Sequence, residues 1–153
     1  MYAIGAAVLM WWINRALPLA HLVYAPWNRL GWAFVAVGFG ADAYSAFAFF
    51  RAATTVNPIR ISQTSALVIN GIYRWSRNPM YCGLILMLIG WGVVLGSVAP
   101  LMVIVAFERI VLYFQVEPEE SALEAKFGDS YRDYKRRVHR WIGCTRREGL
   151  LHP

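Results

Sequence analysis

The sequence predicts an all-α membrane protein with four transmembrane helices, and three observations support this prediction. The 153-residue chain is 58% hydrophobic and only 16% charged, whereas a soluble domain usually carries about 25% charged residues. Four apolar stretches approach the length of about 20 residues that a helix needs to cross a bilayer. Aromatic residues reach 15% of the chain, which suits a protein whose Trp and Tyr side chains lie at membrane–water interfaces. The length predicts a single domain, residues 1–153.

The apolar stretches give approximate bounds for the four spans, which are residues 2–24, 30–50, 79–95 and 98–116. The first is the least regular, because polar residues and a proline interrupt its second half. Gly96 and Ser97, with Pro100 close behind, predict a tight turn between the third and fourth spans. The N-terminus lacks the basic region and cleavage site of a secretory signal, so the first span is expected to be retained.

Residues 118–142 predict a tail of short helices at the membrane interface. Pro118 suits a first helical position, and Gly128 suits a helix end. Apolar side chains then recur at helical spacing with basic residues around them; they are Phe127, Tyr131, Tyr134, Val138 and Trp141. This pattern predicts a helix that lies flat on an anionic leaflet.

The positions of basic residues predict the topology. The segment between the second and third spans contains Arg51, Arg60, Arg74 and Arg77, and the tail contains Lys126, Arg132, Lys135, Arg136, Arg137, Arg140, Arg146 and Arg147. The turn between the third and fourth spans has no charge. The positive-inside rule therefore predicts a multi-pass protein with both termini in the cytoplasm. The net charge of +6 fits an anionic membrane, and the apolar spans exclude a soluble nucleic-acid binder.

Two polar regions are candidates for a functional site. Asn78 is a good N-cap and Pro79 a good first residue, so the third helix is expected to begin there. Its N-terminus, with Arg74 and Arg77 nearby, suits either a ligand carboxylate or lipid phosphates. Just beyond the fourth span lie Glu117, Glu119 and Glu120, which suit the dipole of a new helix. Alternatively, Glu119 and Glu120 accept hydrogen bonds from a ligand, and they could also pair with Arg77.

Ionisable residues within the predicted spans favour structural ion pairs. Asp42, Glu108 and Arg109 are costly at membrane depth. Adjacent residues do not share a helix face, so Glu108 and Arg109 are each expected to pair elsewhere, and Arg15 is a candidate partner for Asp42 or Glu108. Cys82 and Cys144 form no CxxC pair and have no His at ligand spacing, so no metal site is predicted.

Several blocks of the sequence, taken in order, resemble a known family. They are Thr54-Thr55-Val56-Asn57-Pro58, Gly71 to Gly83, Pro118-Glu119-Glu120, Phe127 to Tyr134, and Val138-His139-Arg140-Trp141. This arrangement, over about residues 54–142, is similar to the isoprenylcysteine carboxyl methyltransferase family and its phospholipid methyltransferase relatives.

The resemblance implies a membrane methyltransferase that uses S-adenosylmethionine and releases S-adenosylhomocysteine. It implies cofactor contacts from Tyr73, Arg77, Asn78, Pro79, Tyr81, Gly83, Glu119 and Glu120, with catalytic roles for Arg74, Arg77 and Glu120. The acceptor would be a lipophilic or prenylated molecule that enters from the lipid and reacts at the cytoplasmic interface.

One residue departs from the family pattern, since the family usually has His where this chain has Asn78. An amide cannot titrate, so a mechanism that needs an imidazole base there is in doubt. The departure favours an acceptor that is already anionic, such as a carboxylate or thiolate.

Two other functions remain open. One is an oxidoreductase that binds NADPH, because membrane sterol reductases resemble the family in their C-terminal region. The other is a non-catalytic membrane scaffold.

Overall fold

The computed structural model describes residues 2–17, 20–51 and 67–144, and these form an all-helical protein. The helices are α1 (Tyr2–Ala16), α2 (Gly31–Arg51), α3 (Pro79–Leu95), α4 (Ala99–Val111), α5 (Glu117–Phe127) and α6 (Asp129–Arg137). Short 3₁₀ turns cover Trp27–Leu30 and Gly71–Arg74. The Thr54–Pro58 block, Arg60, Arg146 and Arg147 lie outside the described residues.

The first helix is shorter than predicted. It ends at Ala16 rather than near residue 24, because Pro18 follows in the sequence and a proline cannot continue the hydrogen-bond ladder. Further along the chain, the amide of Leu22 donates to the carbonyl of Gly96 at 2.8 Å. Residues 20–23 therefore lie beside the α3–α4 turn, at one end of the bundle.

The α3–α4 hairpin matches the sequence prediction. The third helix has the predicted bounds, and Gly96 ends it with a φ of 76°. That left-handed conformation is readily available to glycine. The turn is short, so α3 and α4 run antiparallel.

The fourth helix does not end where the sequence predicts. A single π-helical turn, Leu112–Val116, joins α4 directly to α5, so one helical rod runs from Ala99 to Phe127. Pro118 has no N–H to donate and its ring crowds the preceding turn. The wider π turn directly before it lets the helix continue.

The core lies between α1, α3 and α4. Met10, Leu88 and Phe107 are among its buried members, and the indole of Trp91 donates to the carbonyl of Ala7 at 3.1 Å. The second helix packs mainly on α3, and its outer face exposes large apolar side chains such as Phe39. An exposed apolar surface of this kind marks contact with lipid or another protein.

Within residues 2–17, 20–51 and 67–144, two helices are long and apolar enough to cross a membrane, Trp27–Ala48 and Ala99–Phe127. The apolar helix α3 has 17 residues and α1 has 15, both shorter than a typical span. The structure thus supports membrane association, while the four-span count stays a prediction.

The prediction that the ionisable residues within the spans form ion pairs with residues on other helices is wrong. Arg109 pairs with its neighbour Glu108, with 3.2 Å between Nε and Oε2, because two long side chains can bend towards each other even from adjacent positions. The guanidinium of Arg15 lies over the ring of Trp11. Within the described part of the chain, the buried Oδ1 of Asp42 has no hydrogen-bond partner.

The apolar face of α6 is not free to lie on lipid, which corrects the sequence interpretation. Tyr131, Tyr134 and Val138 are buried, and they pack against Leu67 and Ile69 of the preceding loop. Leu67 and Ile69 thus fold back onto the protein, and α6 is the surface that they cover.

Candidate functional site

The site lies at the end of the bundle where α3 begins. The segment before α3 is held by the tail: the amide of Arg77 donates to the carbonyl of His139 at 3.0 Å, and the amide of Gly143 donates to the carbonyl of Trp75 at 2.7 Å. The hydroxyl of Tyr134 donates to the carbonyl of Tyr73 at 2.6 Å. These bonds place the start of α3 against residues 134–143.

Glu120 is the centre of a buried charged cluster. Glu120 is 4% exposed, and its Oε1 accepts a hydrogen bond from Nδ2 of Asn78 at 3.2 Å. Arg140 donates from Nη2 to its Oε2 at 2.9 Å, and Nη1 of Arg77 lies 3.3 Å from Oε1. A buried carboxylate between two guanidinium groups is electrostatically compensated. The Glu120 cluster, formed by Asn78, Arg77, Arg140 and Glu120, thus joins the α3 start, α5 and the tail.

Two further glutamates adjoin the Glu120 cluster. Glu119 accepts from the hydroxyl of Tyr81, which lies in the first turn of α3, at 3.2 Å. Glu117 lies 3.6 Å from Nη1 of Arg140. The sequence hypothesis that the glutamates pair with Arg77 is confirmed for Glu120. The hydrogen bonds to Glu120 also raise the pKa of the Arg140 guanidinium, so this side chain stays charged.

Asn78 precedes α3 as predicted, but its side chain does not cap the helix. The amide nitrogen donates instead to Glu120 and to the carbonyl of Arg140 at 3.2 Å. Pro79 is fully buried behind it. The predicted capping role is therefore wrong, because the side chain is used to connect α3 with α5 and the tail.

The guanidinium of Arg77 has N–H groups that could donate to a ligand. Its side chain is 9% exposed, and its buried Nε and Nη1 find no hydrogen-bond acceptor of suitable geometry among the described residues. The phenol of Tyr131 lies beside the same guanidinium, and burial raises the pKa of that phenol, which keeps it protonated.

Three predicted site residues lie elsewhere. Arg74 lines a separate cleft rather than the Glu120 cluster, so the two arginines predicted to share one site are divided. Tyr73 is buried, and its hydroxyl hydrogen-bonds to Ser45 of α2. The α-carbon of Gly83 packs against Asp42 and the backbone of Gly38 on α2, which gives this glycine a helix-packing role.

Sequence reasoning missed the roles of Arg140 and Tyr131. The sequence pattern places both on the amphipathic tail helix, with Arg140 among its basic residues and Tyr131 on its apolar face. The available signal was Arg140 itself, which stands within one of the resemblance blocks.

Comparison with known proteins connects this geometry to a family. A model of the phospholipid methyltransferase family matches residues 27–130, which include α2 to α5 and both halves of the Asn78–Glu120 contact. The chain belongs to the phospholipid methyltransferase family. The resemblance seen in the sequence is therefore confirmed, and methyl transfer at membranes is the activity associated with this family.

Individual relatives add detail to this family membership. An uncharacterised protein of Haemophilus influenzae is 41% identical over 63 residues, which is all of that protein and 41% of this chain. The protein-S-isoprenylcysteine O-methyltransferases of mouse and rat are each 35% identical over 96 residues, or 60% of this chain. The chain spans about a third of the length of these two enzymes. No solved structure matches the chain significantly.

Proposed function

We propose that this protein transfers the methyl group of S-adenosylmethionine to a lipophilic acceptor at the cytoplasmic membrane interface. The observation that carries the proposal is the contact between Asn78 and Glu120. It joins the two sequence blocks that the family resemblance assigns to the cofactor, and it does so in one buried polar cluster at the end of an apolar bundle.

The residues of the cluster fit the polar groups of this cofactor. The methionine end of S-adenosylmethionine carries a carboxylate, which suits the buried guanidinium donors of Arg77. Its ammonium and ribose hydroxyls are donors, which suit the carboxylates of Glu119 and Glu120. When bound, the cofactor would supply an activated methyl group on its sulfonium.

The protein's contribution would be to position the two reactants and exclude water. Glu120 is held from three sides, so a ligand that binds it meets a carboxylate whose orientation is fixed in advance. Tyr81 orients Glu119 in the same way through its hydroxyl. Arg77, Asn78, Pro79, Tyr81, Glu119 and Glu120 are the proposed cofactor-binding residues, and Arg77 and Glu120 remain the proposed catalytic pair.

The acceptor is proposed to be an anionic lipophilic molecule, such as the carboxylate of an isoprenylated cysteine. The names of the mouse and rat relatives support this class. Asn78 supports it as well, because an amide cannot remove a proton and an anionic acceptor needs no base. The apolar outer surfaces of α1 and α2 would let such an acceptor approach from the lipid.

Calorimetric titration of the detergent-purified protein with S-adenosylhomocysteine tests the proposal. We expect Glu120→Gln to weaken binding by at least about tenfold, because it removes the charge from a buried hydrogen-bond acceptor. Glu124→Gln is the matched control. Glu124 lies one turn further along α5, and its partners are Arg132 and Lys135 outside the Glu120 cluster, so this variant should bind normally.

The competing functions predict different titrations. Binding of NADPH without binding of S-adenosylhomocysteine would overturn the proposal in favour of an oxidoreductase, and binding of neither would favour a scaffold. Tyr81→Phe serves as a second variant if Glu120→Gln unfolds. This variant removes the hydroxyl that orients Glu119, so it should also weaken the binding of S-adenosylhomocysteine.

A further inference from the structure

A cleft of about 610 Å³ lies beside the segment that leads into α3. Its volume is within the range of about 300–1,000 Å³ that is usual for small-molecule sites. Its residues come from the loop before α3 and from the tail, and they include none of the Glu120 cluster. We call it the Arg74–Arg137 cleft after its two charged residues.

The charge of the Arg74–Arg137 cleft favours an anion. Arg74 ends the 3₁₀ turn before α3, and Arg137 ends α6. The Nε of Arg137 donates to the carbonyl of Asp133 at 3.1 Å, which fixes the base of its guanidinium. None of the described residues that line the cleft is acidic. Two arginines that face one cavity without a carboxylate are suited to bidentate binding of a phosphate or carboxylate.

The remaining walls of the cleft are largely apolar. Ile69 and Val138 contribute aliphatic side chains that continue into the buried cluster under α6. Trp75, which is 64% exposed, also lines the cleft. A free inorganic anion obtains no binding free energy from apolar walls. A ligand with an anionic group and an apolar chain obtains it both from the arginines and from burial of the chain against the walls.

The cleft is also close to the Glu120 cluster. Arg74 and Arg77 are three residues apart, so their α-carbons lie within about 11 Å of each other. Tyr134 connects the two regions, since it lines the cleft and its hydroxyl also lies 3.4 Å from the carbonyl oxygen of Ser76, the residue before Arg77. A headgroup in the cleft would therefore lie next to the proposed cofactor site.

We propose that the Arg74–Arg137 cleft binds the anionic headgroup of an amphiphile, through a phosphate or carboxylate that carries an apolar chain. Two arginines then have different partners in the same protein: Arg77 pairs with Glu120, and Arg74 binds the amphiphile. The binding step requires no methyl transfer, so it can be tested whether or not the proposed activity is present.

Titration of the full-length protein in nonionic detergent with short-chain phosphatidic acid, below its micelle concentration, tests this proposal. We expect saturable binding that Arg74→Gln and Arg137→Gln each weaken by about tenfold, as is usual for the loss of one charge-assisted interaction. Arg136→Gln is the matched control, because it removes the same charge from the neighbouring position of α6 outside the cleft. It should leave the affinity unchanged.

Two further ligands identify the source of the binding energy. Inorganic phosphate should bind at least tenfold more weakly, and short-chain phosphatidylcholine should bind more weakly than phosphatidic acid. If inorganic phosphate binds as tightly as phosphatidic acid, the apolar walls contribute nothing to binding. If Arg136→Gln weakens binding of phosphatidic acid as much as Arg74→Gln does, or if no saturable binding is seen, the cleft is not the binding site. Circular dichroism of each variant shows that the helices are intact.

Discussion

At the scale of single residues, Asn78 shows how one side chain connects three parts of the protein. Its amide nitrogen donates to the carboxylate of Glu120 and to the carbonyl of Arg140, so the start of α3, α5 and the tail meet at one atom. A capping side chain would have turned back on its own helix. The connection depends on a donor at this position, which an amide supplies without titrating.

Tyr134 makes an equally specific contact, and it yields a prediction about stability. Its hydroxyl is buried and donates to the carbonyl of Tyr73 at 2.6 Å. Tyr134→Phe should lower the midpoint of thermal unfolding in detergent by roughly 2–10 °C, because a buried carbonyl then loses its donor at a cost of about 1–3 kcal/mol.

Tyr113→Phe is the control for this measurement. Tyr113 is 70% exposed in the π turn, so removal of its hydroxyl should leave the midpoint unchanged. Equal midpoints for wild type and Tyr134→Phe would show that the bond to Tyr73 contributes nothing to stability.

At the scale of elements, glycines bring α2 and α3 into close contact. Gly31 faces Gly90 and Gly38 faces Gly83, so two pairs of glycines, each seven residues apart, meet across an antiparallel helix pair. A β-carbon at Gly38 would lie 2.6 Å from the carbonyl oxygen of Gly83. Small residues are common where membrane helices pack this closely.

This contact predicts opposite results for two glycines on one helix. Gly38→Ala should lower the thermal midpoint in detergent, because the added methyl group meets the backbone of α3 and overpacking costs about 1–3 kcal/mol. Gly40→Ala should maintain or raise it, since Gly40 has no neighbour within 4 Å of such a methyl group and alanine favours helix formation. Equal midpoints for the two variants would contradict the close packing.

The π turn is the element that orients the acidic residues. Along the rod from α4 to α5, the buried residues Phe107, Val111, Val116 and Glu120 are spaced by four, five and four positions. The five-residue step falls across the π turn. One extra residue rotates the following helix by about 100° relative to a regular helix, and this rotation brings Glu120 onto the face that meets α3.

At the scale of the whole molecule, the helices divide the polar residues between the two ends of the bundle. The α3–α4 turn and the segment around His21 lie at one end. The Glu120 cluster, the Arg74–Arg137 cleft and the basic tail lie near the other. The proposed site is therefore at the end that the positive-inside rule assigns to the cytoplasm.

This arrangement predicts the result of labelling with a membrane-impermeant maleimide in intact cells. In a Cys82→Ser background, the exposed Cys144 should react only after the membrane is permeabilised. His21→Cys, in a chain that also carries Cys144→Ser, should react without permeabilisation because the residue is exposed at the opposite end. The reverse pattern would invert the topology, and labelling of both positions in intact cells would contradict the assignment of the two ends to opposite sides.

The sequence by itself determined the features that depend on neighbours along the chain. These are the apolar character, the bounds of α3, the glycine turn at Gly96 and the ordered blocks that carry the family resemblance. Each is local, because hydropathy, capping and turn formation are set by residues within a few positions of one another.

Only the tertiary structure decided which side chains meet. Arg74 and Arg77 are near neighbours in sequence, yet one lines a cleft and the other contacts Glu120. The π turn sets the direction of Glu120, and the tail folds back to supply Arg140. These contacts join residues 20 to 43 positions apart. Because such pairs are fixed by how helices pack and not by local propensity, no pattern along the chain specifies them.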